Sequence, residues 1–266
     1  MAAHVFGQAS TAAPVTLVCC GLVGTVISDS GMIDRAYAEA IATQGVVSGT
    51  AAYARCMALV HQTRGQPAAD VLQILFPDSE VRGQAAQLVF DRACLDAIAR
   101  AGPTPVPGAE AAIAQMVAAG IRVALISGFS HRVLTALMDA LNWWDRVDLA
   151  IGPDDVQRGL PWPDLTLWAM LQAGVADVRE TAVAHGTESG VLSGLRSGAG
   201  IVAGVLTGVH TGERLQRAGA THLIPSIADL PALVMPPSEP GSATAVSARP
   251  VSPATWEYHA RDTAEG

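Results

Sequence analysis

The run Val15-Thr16-Leu17-Val18-Cys19-Cys20-Gly21-Leu22-Val23-Gly24-Thr25-Val26-Ile27 is apolar, breaks at Gly24-Thr25 and turns hydrophobic again. Its first six residues are apolar or small and include β-branched side chains, the composition of a strand covered on both faces in a parallel sheet. A glycine-rich loop at the C-terminal end of such a strand is where an open α/β sheet places its ligands. The pattern predicts a first strand over 15–20 with a site-forming loop behind it.

Between Gly31 and Arg100 the periodicity is helical throughout, with no convincing strand. Met32-Ile33-Tyr37-Ile41, Val71-Leu72-Ile74-Leu75 and Ala86-Leu88-Val89-Ala93-Leu95-Ile98 each repeat at helical spacing. An α/β rhythm follows. Strands are expected at 121–127, 148–151, 181–185, 200–206 and 222–224, with helices from about 109, 131, 164, 211 and 226. Alternation of this kind implies a parallel sheet with right-handed crossovers. The predicted organisation is a small-residue leader (1–14), an α/β core (15–28 and 103–235), a helical cap (29–102) and a disordered Pro/Ser/Ala/Gly-rich tail (236–266).

Composition excludes several functions. All 16 basic residues are arginine and the net charge is -8, without a basic cluster or interleaved aromatic platform, so nucleic-acid binding has no support. Without lysine no side-chain Schiff base can form. No apolar run reaches the roughly 20 residues that cross a bilayer, and the N-terminus lacks the pattern of a signal peptide, so a cytoplasmic location and no membrane partner are expected. The four cysteines show no paired metal-binding spacing, and Cys19 and Cys20, adjacent on a strand, are expected on opposite faces as reduced core thiols.

The order of the motifs resembles the haloacid dehalogenase superfamily, most closely its phosphonatase-like branch, from about Thr16 to Leu233. Gly24-Thr25 matches the end of the family's first motif, Asp-x-Asp-Gly-Thr. Gly21 then stands where the family keeps its nucleophilic aspartate, and Val23 where most members keep an acid/base aspartate. Ser127-Gly128 matches the second motif, whose hydroxyl and following N–H hold a phosphoryl oxygen; the bland reading of Ser127 is a helix N-cap. Leu160, in Arg158-Gly159-Leu160-Pro161-Trp162-Pro163, occupies the place of the branch's charge-compensating basic residue, with Arg158 two residues earlier as a surface arginine. Ala184-His185-Gly186-Thr187-Glu188-Ser189-Gly190 corresponds to the fourth motif, Gly-Asp-Thr-x-x-Asp, with both Mg²⁺-holding acids replaced by glycine, Gly186 and Gly190. The resemblance implies a Rossmann-like α/β core and a helical cap inserted after the first strand that covers the site. In the cap, Thr63-Arg64-Gly65-Gln66-Pro67-Ala68 sits where relatives have a substrate loop, and Arg64 is either a ligand contact or part of a capped helix start.

Nucleophile, metal acids and compensating base are thus all missing at the matched positions, while strands, glycines, Ser127 and the cap remain. The first functional expectation is a catalytically degenerate protein that binds a small molecule or anion, or that serves as a partner protein. Ser127, Gly128, Gly24, Thr25, Thr187 and Arg64 are its candidate ligand contacts. The second is an enzyme of other chemistry in the same cleft, using Cys20, His185, Glu188, Ser127 or a bound cofactor; the third is an ordinary hydrolase whose motifs are misregistered. No cofactor is expected, and Mg²⁺ only under the third reading. Restoring aspartate at 21, 186 and 190 with arginine at 160 is expected to bring back weak phosphatase turnover if the backbone has kept its geometry.

Overall fold

The computed structural model describes residues 14–235. The expected leader, Pro14 apart, and the expected tail lie outside them. The first strand, β1, runs Leu17–Gly21 and is buried along its whole length. Four helices follow before the chain returns to the sheet: α1 (Met32–Thr43), α2 (Ala51–Gln62), α3 (Ala68–Leu75) and α4 (Glu80–Ala101). Then come α5 (Ala109–Ala118), β2 (Arg122–Ile126), α6 (His131–Leu141), β3 (Leu149–Ile151), α7 (Asp164–Gln172), β4 (Thr181–His185), α8 (Glu188–Arg196), β5 (Ile201–Val205), α9 (Gly212–Arg217), β6 (His222–Ile224) and α10 (Leu230–Val234).

The six strands are all parallel, in the order β3-β2-β1-β4-β5-β6. The first strand therefore lies centrally, and the order reverses between β1 and β4, the place where a doubly wound sheet opens a ligand crevice. This is an α/β Rossmann-like sheet with a helical cap inserted after its first strand. Among the described residues no helix is long and apolar enough to cross a membrane.

Two apolar layers enclose the sheet. Cys20 belongs to the larger layer, with Val123, Leu125, Val133 and Leu137, whereas Cys19 belongs to the other, with Ile126, Leu165 and Met170. The alternation expected for adjacent cysteines on a strand is what separates them. The larger layer continues into the cap through Tyr37, Ile41, Leu72 and Phe90. Phe90 of α4 stacks on Phe129 of the core at 6.2 Å between ring centroids and meets Tyr37 at 4.6 Å. Cap and core share one apolar seam, so separating them exposes aromatic surface to water.

Not every apolar residue of the helical repeats faces the core. Ile74 and Leu88 are 53% and 70% exposed, while Phe90 and Cys94 fill the α4 face. α4 is long and its buried face carries small and aromatic residues (Gly83, Ala86, Phe90, Cys94, Ile98), which a count of aliphatic residues underweights. The adjacent tryptophans after α6 also diverge: Trp143 is fully buried with its indole N–H donating to Glu110, and Trp144 is half exposed.

Candidate functional site

Parallel register sets the floor of the cleft. Cys20 pairs with Ala184, so the next residues along, Gly21 and His185, stand side by side at the C-terminal ends of β1 and β4 and present the same face. His185 is buried, and its ring lies over Gly21: a Cβ built on Gly21 would sit 2.5 Å from both Cε1 and Nδ1 of the imidazole. The same ring covers Gly190 at the start of α8, where a Cβ would come within 2.0 Å of Cγ. One imidazole thus takes the room of two side chains, those at the matched nucleophile and at the second matched metal acid.

The third matched acid position is closed by backbone. A Cβ on Gly186 would lie 2.6 Å from Gly208 Cα and 2.8 Å from the Gly24 carbonyl. Around this approach the loops are tied together. The Gly186 N–H donates to Thr25 Oγ1 at 3.0 Å, and the Thr207 hydroxyl donates to the Gly24 carbonyl at 3.0 Å. Gly24 itself has φ of 79°, a left-handed turn in which a side chain is strained. Gly24 and Thr25, expected as ligand contacts, are used in holding the two loops at this distance.

Ser127 ends β2 and is buried. It does not cap α6, as the bland reading had it: its Oγ accepts from the Phe129 N–H at 3.1 Å, and the helix starts only at His131, whose N–H donates to Asp154. A carboxylate already satisfies that helix start, the position at which an incoming anion is otherwise favoured.

The roof comes from the cap loop between α2 and α3. Gly65 and Gln66 lie so close over Gly128 that a Cβ there would be 2.8 Å from both their carbonyls. Ser189 Oγ donates to the Arg64 carbonyl at 2.7 Å, and the Ala68 N–H donates to the Gly128 carbonyl at 3.3 Å. Arg64 is buried and caps no helix; α3 starts after Pro67 with no side-chain cap. Its guanidinium donates through Nη2 to Asp29 Oδ2 at 2.5 Å and through Nη1 to Asp34 Oδ1 at 2.6 Å. Asp29 escaped the sequence reading because Asp29-Ser30-Gly31 looks like helix-start chemistry. Part of it is: Asp29 Oδ1 accepts from the Gly31 N–H at 2.9 Å. Only the folded chain brings its other oxygen onto an arginine 35 positions away.

Between floor and roof lies a cavity of about 60 Å³, lined among others by Leu22, Val23, Asp29, Ile33, Tyr37, Arg64, Phe90, Ser127, Gly128, Phe129, Leu160, His185 and Thr187. Of the expected ligand contacts, Ser127, Gly128, Thr187 and Arg64 therefore meet in one place. Leu160 and Val23 add apolar surface where the resemblance places a base and an acid.

The residues proposed for other chemistry separate. Cys20 is fully buried, and burial pushes its thiol up to about 12. That is the reverse of the lowered pKa a reactive cysteine needs. Glu188 turns away from the cavity and pairs with Arg214 Nε at 2.5 Å, and its N–H donates to His210 Nδ1 at 2.8 Å. Arg158 is bound bidentately to Asp164 and lies 4.8 Å over the Trp162 ring, on the surface. Ser127 and His185 remain in the cavity, and of the two only His185 is a base. Burial pushes its pKa down to about 4, so the ring is neutral at pH 7. Its Nδ1 lies 3.4 Å from Thr187 Oγ1, and its Nε2 is buried without a partner among the described residues. Among the described residues no carboxylate orients it, as one does in a Ser-His-Asp triad.

The matched acid positions also bear on Mg²⁺ in chemical terms. Mg²⁺ takes oxygen ligands in octahedral geometry, with at least one carboxylate as a rule. Gly21, Gly186 and Gly190 offer no side-chain oxygen, and among the described residues no group of three or more His, Cys, Asp or Glu is placed to hold a metal. The residues do not fit the ion. An aspartate at 21 or 190 would require the His185 ring to move, and one at 186 would require the backbone of Gly208 and Gly24 to move.

No protein-family model matches the sequence, and no curated protein does. Solved structures do match in three dimensions. A hydrolase from Pseudomonas syringae aligns at 21% identity with a TM-score of 0.70, over 81% of this chain and 95% of that one. A phosphonoacetaldehyde hydrolase-like protein from Oleispira antarctica aligns at 20% identity and 0.70, over 88% and 95%. A haloacid dehalogenase-like hydrolase from Bacteroides fragilis aligns at 17% and 0.69, over 81% and 99%. The fold of this chain is that of these hydrolase structures. At these identities the likeness speaks for the fold, and the site has to be read from its own residues.

Proposed function

We propose that the protein uses the hydrolase fold without the aspartyl-phosphate chemistry, keeping the capped cleft as a chamber for a small molecule. The observation that carries this reading is the single imidazole of His185, which occupies the space of the side chains at both Gly21 and Gly190. The aspartyl-phosphate route needs a carboxylate held at attack distance and a cation between two anions. The floor supplies neither, and Leu160 supplies no counter-charge. Mg²⁺ has no role in this reading.

Turnover of p-nitrophenyl phosphate by purified protein with Mg²⁺ tests it. The expected result is no turnover above that of a parallel preparation lacking the protein, and no saturable Mg²⁺ binding by calorimetry. Activity that survives purification to homogeneity and disappears in Ser127→Ala would overturn the reading.

A further inference from the structure

His210 stands where core and cap meet. It follows β5 and is 6% exposed, and its own N–H donates to the Gly186 carbonyl at 3.4 Å. On the core side its Nδ1 accepts, at 2.8 Å, from the N–H of Glu188, the first residue of α8. On the cap side its Nε2 lies 3.5 Å from the carbonyl of His61, near the end of α2. A backbone N–H can only donate, so Nδ1 is the bare nitrogen and Nε2 carries the hydrogen offered to His61. The ring is neutral in this arrangement.

A second proton would turn the core contact into a clash of donors. It would sit on Nδ1, facing the Glu188 N–H at 2.8 Å, and the two groups would have to part. The charges around the ring do little to hold an imidazolium there. Arg214 of α9 and Arg64 of the cap loop are cations, and the start of α8 is the positive end of a helix dipole. The Glu188 carboxylate is already bound to Arg214 Nε. Burial first, then Arg214 and last Arg64 hold the His210 pKa below the ordinary histidine value, against the His61 carbonyl and Glu188, which raise it.

The chain just beyond His61 roofs the cavity, which Arg64, Gly65 and Gln66 line. Two other ties hold this loop to the core: Ser189 Oγ donates to the Arg64 carbonyl at 2.7 Å, and Arg214 Nη2 donates to the Gln62 carbonyl at 3.0 Å. Neither a hydroxyl nor a guanidinium changes charge near neutral pH. The His61 ring faces Asp34 within the cap at 3.4 Å, where a proton strengthens the pair instead of breaking it. Of these contacts, the one at His210 is the one that acid undoes.

We propose that His210 is an acid-sensitive latch: neutral, it ties the start of α8 to the end of α2; protonated, it no longer accepts from the Glu188 N–H, and the loop over residues 61–66 loosens above the cavity. As a control on entry to the cavity this rests on the reading of the cleft as a closed chamber; the loss of the contact itself does not. In the loosened state the ring meets water and regains the ordinary value of about 6.5, above its latched value, so the latch holds fully above that pH and weakens as pH falls below it. Linkage limits the gain in opening to about tenfold between pH 7 and pH 5.5. His185, held down to about 4, stays neutral in the folded chain over that range.

Amide exchange of the full chain, followed by NMR at pH 7 and pH 5.5 and divided by the intrinsic rate at each pH, tests the latch. The amides of Glu188 and residues 62–66 are expected to lose up to about tenfold in protection. His210→Asn, whose side-chain oxygen accepts from Glu188 but takes no proton, is expected to lose none there. Unchanged wild-type protection overturns the latch, and so does an equal loss in His210→Asn, which would assign the response to another group. If that variant fails to fold, wild type labelled with ¹⁵N-histidine decides the matter. Nδ1 of His210 is expected to be bare at pH 7, and its titration to run in step with exchange at Glu188. A protonated Nδ1 at pH 7, or titration without faster exchange, overturns the proposal. Turnover of p-nitrophenyl phosphate would instead overturn the reading of the cleft and leave these outcomes standing.

Discussion

The floor and the roof of the cleft have reached neutrality by different routes. On the floor the acidic positions are glycines, and an uncharged imidazole fills the room between two of them. On the roof the carboxylates are present, Asp29 and Asp34, but both are bound to the buried Arg64. The floor is closed by shape and the roof by charge. The difference teaches that a glycine in a cleft wall is not by itself a vacancy. Volume is filled by a neighbour where a position carries no side chain, and charge is matched where carboxylates stand, since an unpaired buried charge costs far more than an unpaired dipole.

The largest effect is expected on the floor. Gly21→Asp forces a Cβ into the His185 ring and buries a carboxylate beside apolar strands, and Gly190→Asp does the same from α8. Overpacking and an unpaired buried charge together should lower stability by about 4 kcal/mol or more. Urea unfolding measures it, and adding His185→Gly to Gly21→Asp should recover a large part of the loss. Wild-type stability in Gly21→Asp alone would show that the floor is not filled as described.

The roof should respond next. Arg64→Met leaves Asp29, only 13% exposed, without its partner, and a broken buried pair costs about 3 kcal/mol. Arg64→Met with Asp29→Asn should be closer to wild type than Arg64→Met alone. An additive double variant would deny the pairing its role.

Acid separates the two regions without mutation. The folded pKa of His185, about 4, lies below the ordinary histidine value of about 6.5, so the unfolded chain takes up the proton first. Stability from this group is full above the unfolded value and is lost as pH falls through the interval between the two. Linkage gives a loss of about 2 kcal/mol between pH 7 and pH 5. His210, also pushed down chiefly by burial, changes in the same direction. Thermal unfolding of wild type and His185→Leu across that range should give a shallower slope for the variant, and equal slopes would remove His185 from the account.

The smallest effect belongs to the rim. The Arg214–Glu188 pair is about one-third exposed on each side, and Arg214 also donates to the Gln62 carbonyl of the cap at 3.0 Å. Arg214→Ala should cost less than about 1 kcal/mol globally. Its mark should be faster amide exchange in the loop over residues 61–66, without a comparable change in the sheet. Equal acceleration in the sheet would mean that the contact belongs to the global fold and not to a local latch.

The strand pattern was legible because it is written in consecutive residues. Leu17 to Cys20, Val123 to Ile126 and Ala182 to Ala184 are each apolar on both faces, and short runs of that kind bounded by turns fit covered parallel strands. The helical insert was legible for the same reason, although Ile74 and Leu88 show that spacing alone does not say which side of a helix meets the core. The absence of acids at positions 21, 186 and 190 could also be read from the chain.

What replaced them could not. His185 reaches Gly21 across more than 160 residues, and the contact exists because β1 and β4 pair in a register that only the assembled sheet sets. In the sequence Arg64 reads as a ligand contact or part of a helix start, and nothing links it to Asp29 and Asp34; the folded cap buries the arginine and gives it these two partners. Local composition determines which segments become strands and helices, because backbone conformation and burial periodicity act over a few residues. Whether a position left empty is open, filled or neutralised depends on which distant side chain arrives there, and tertiary structure alone decides that.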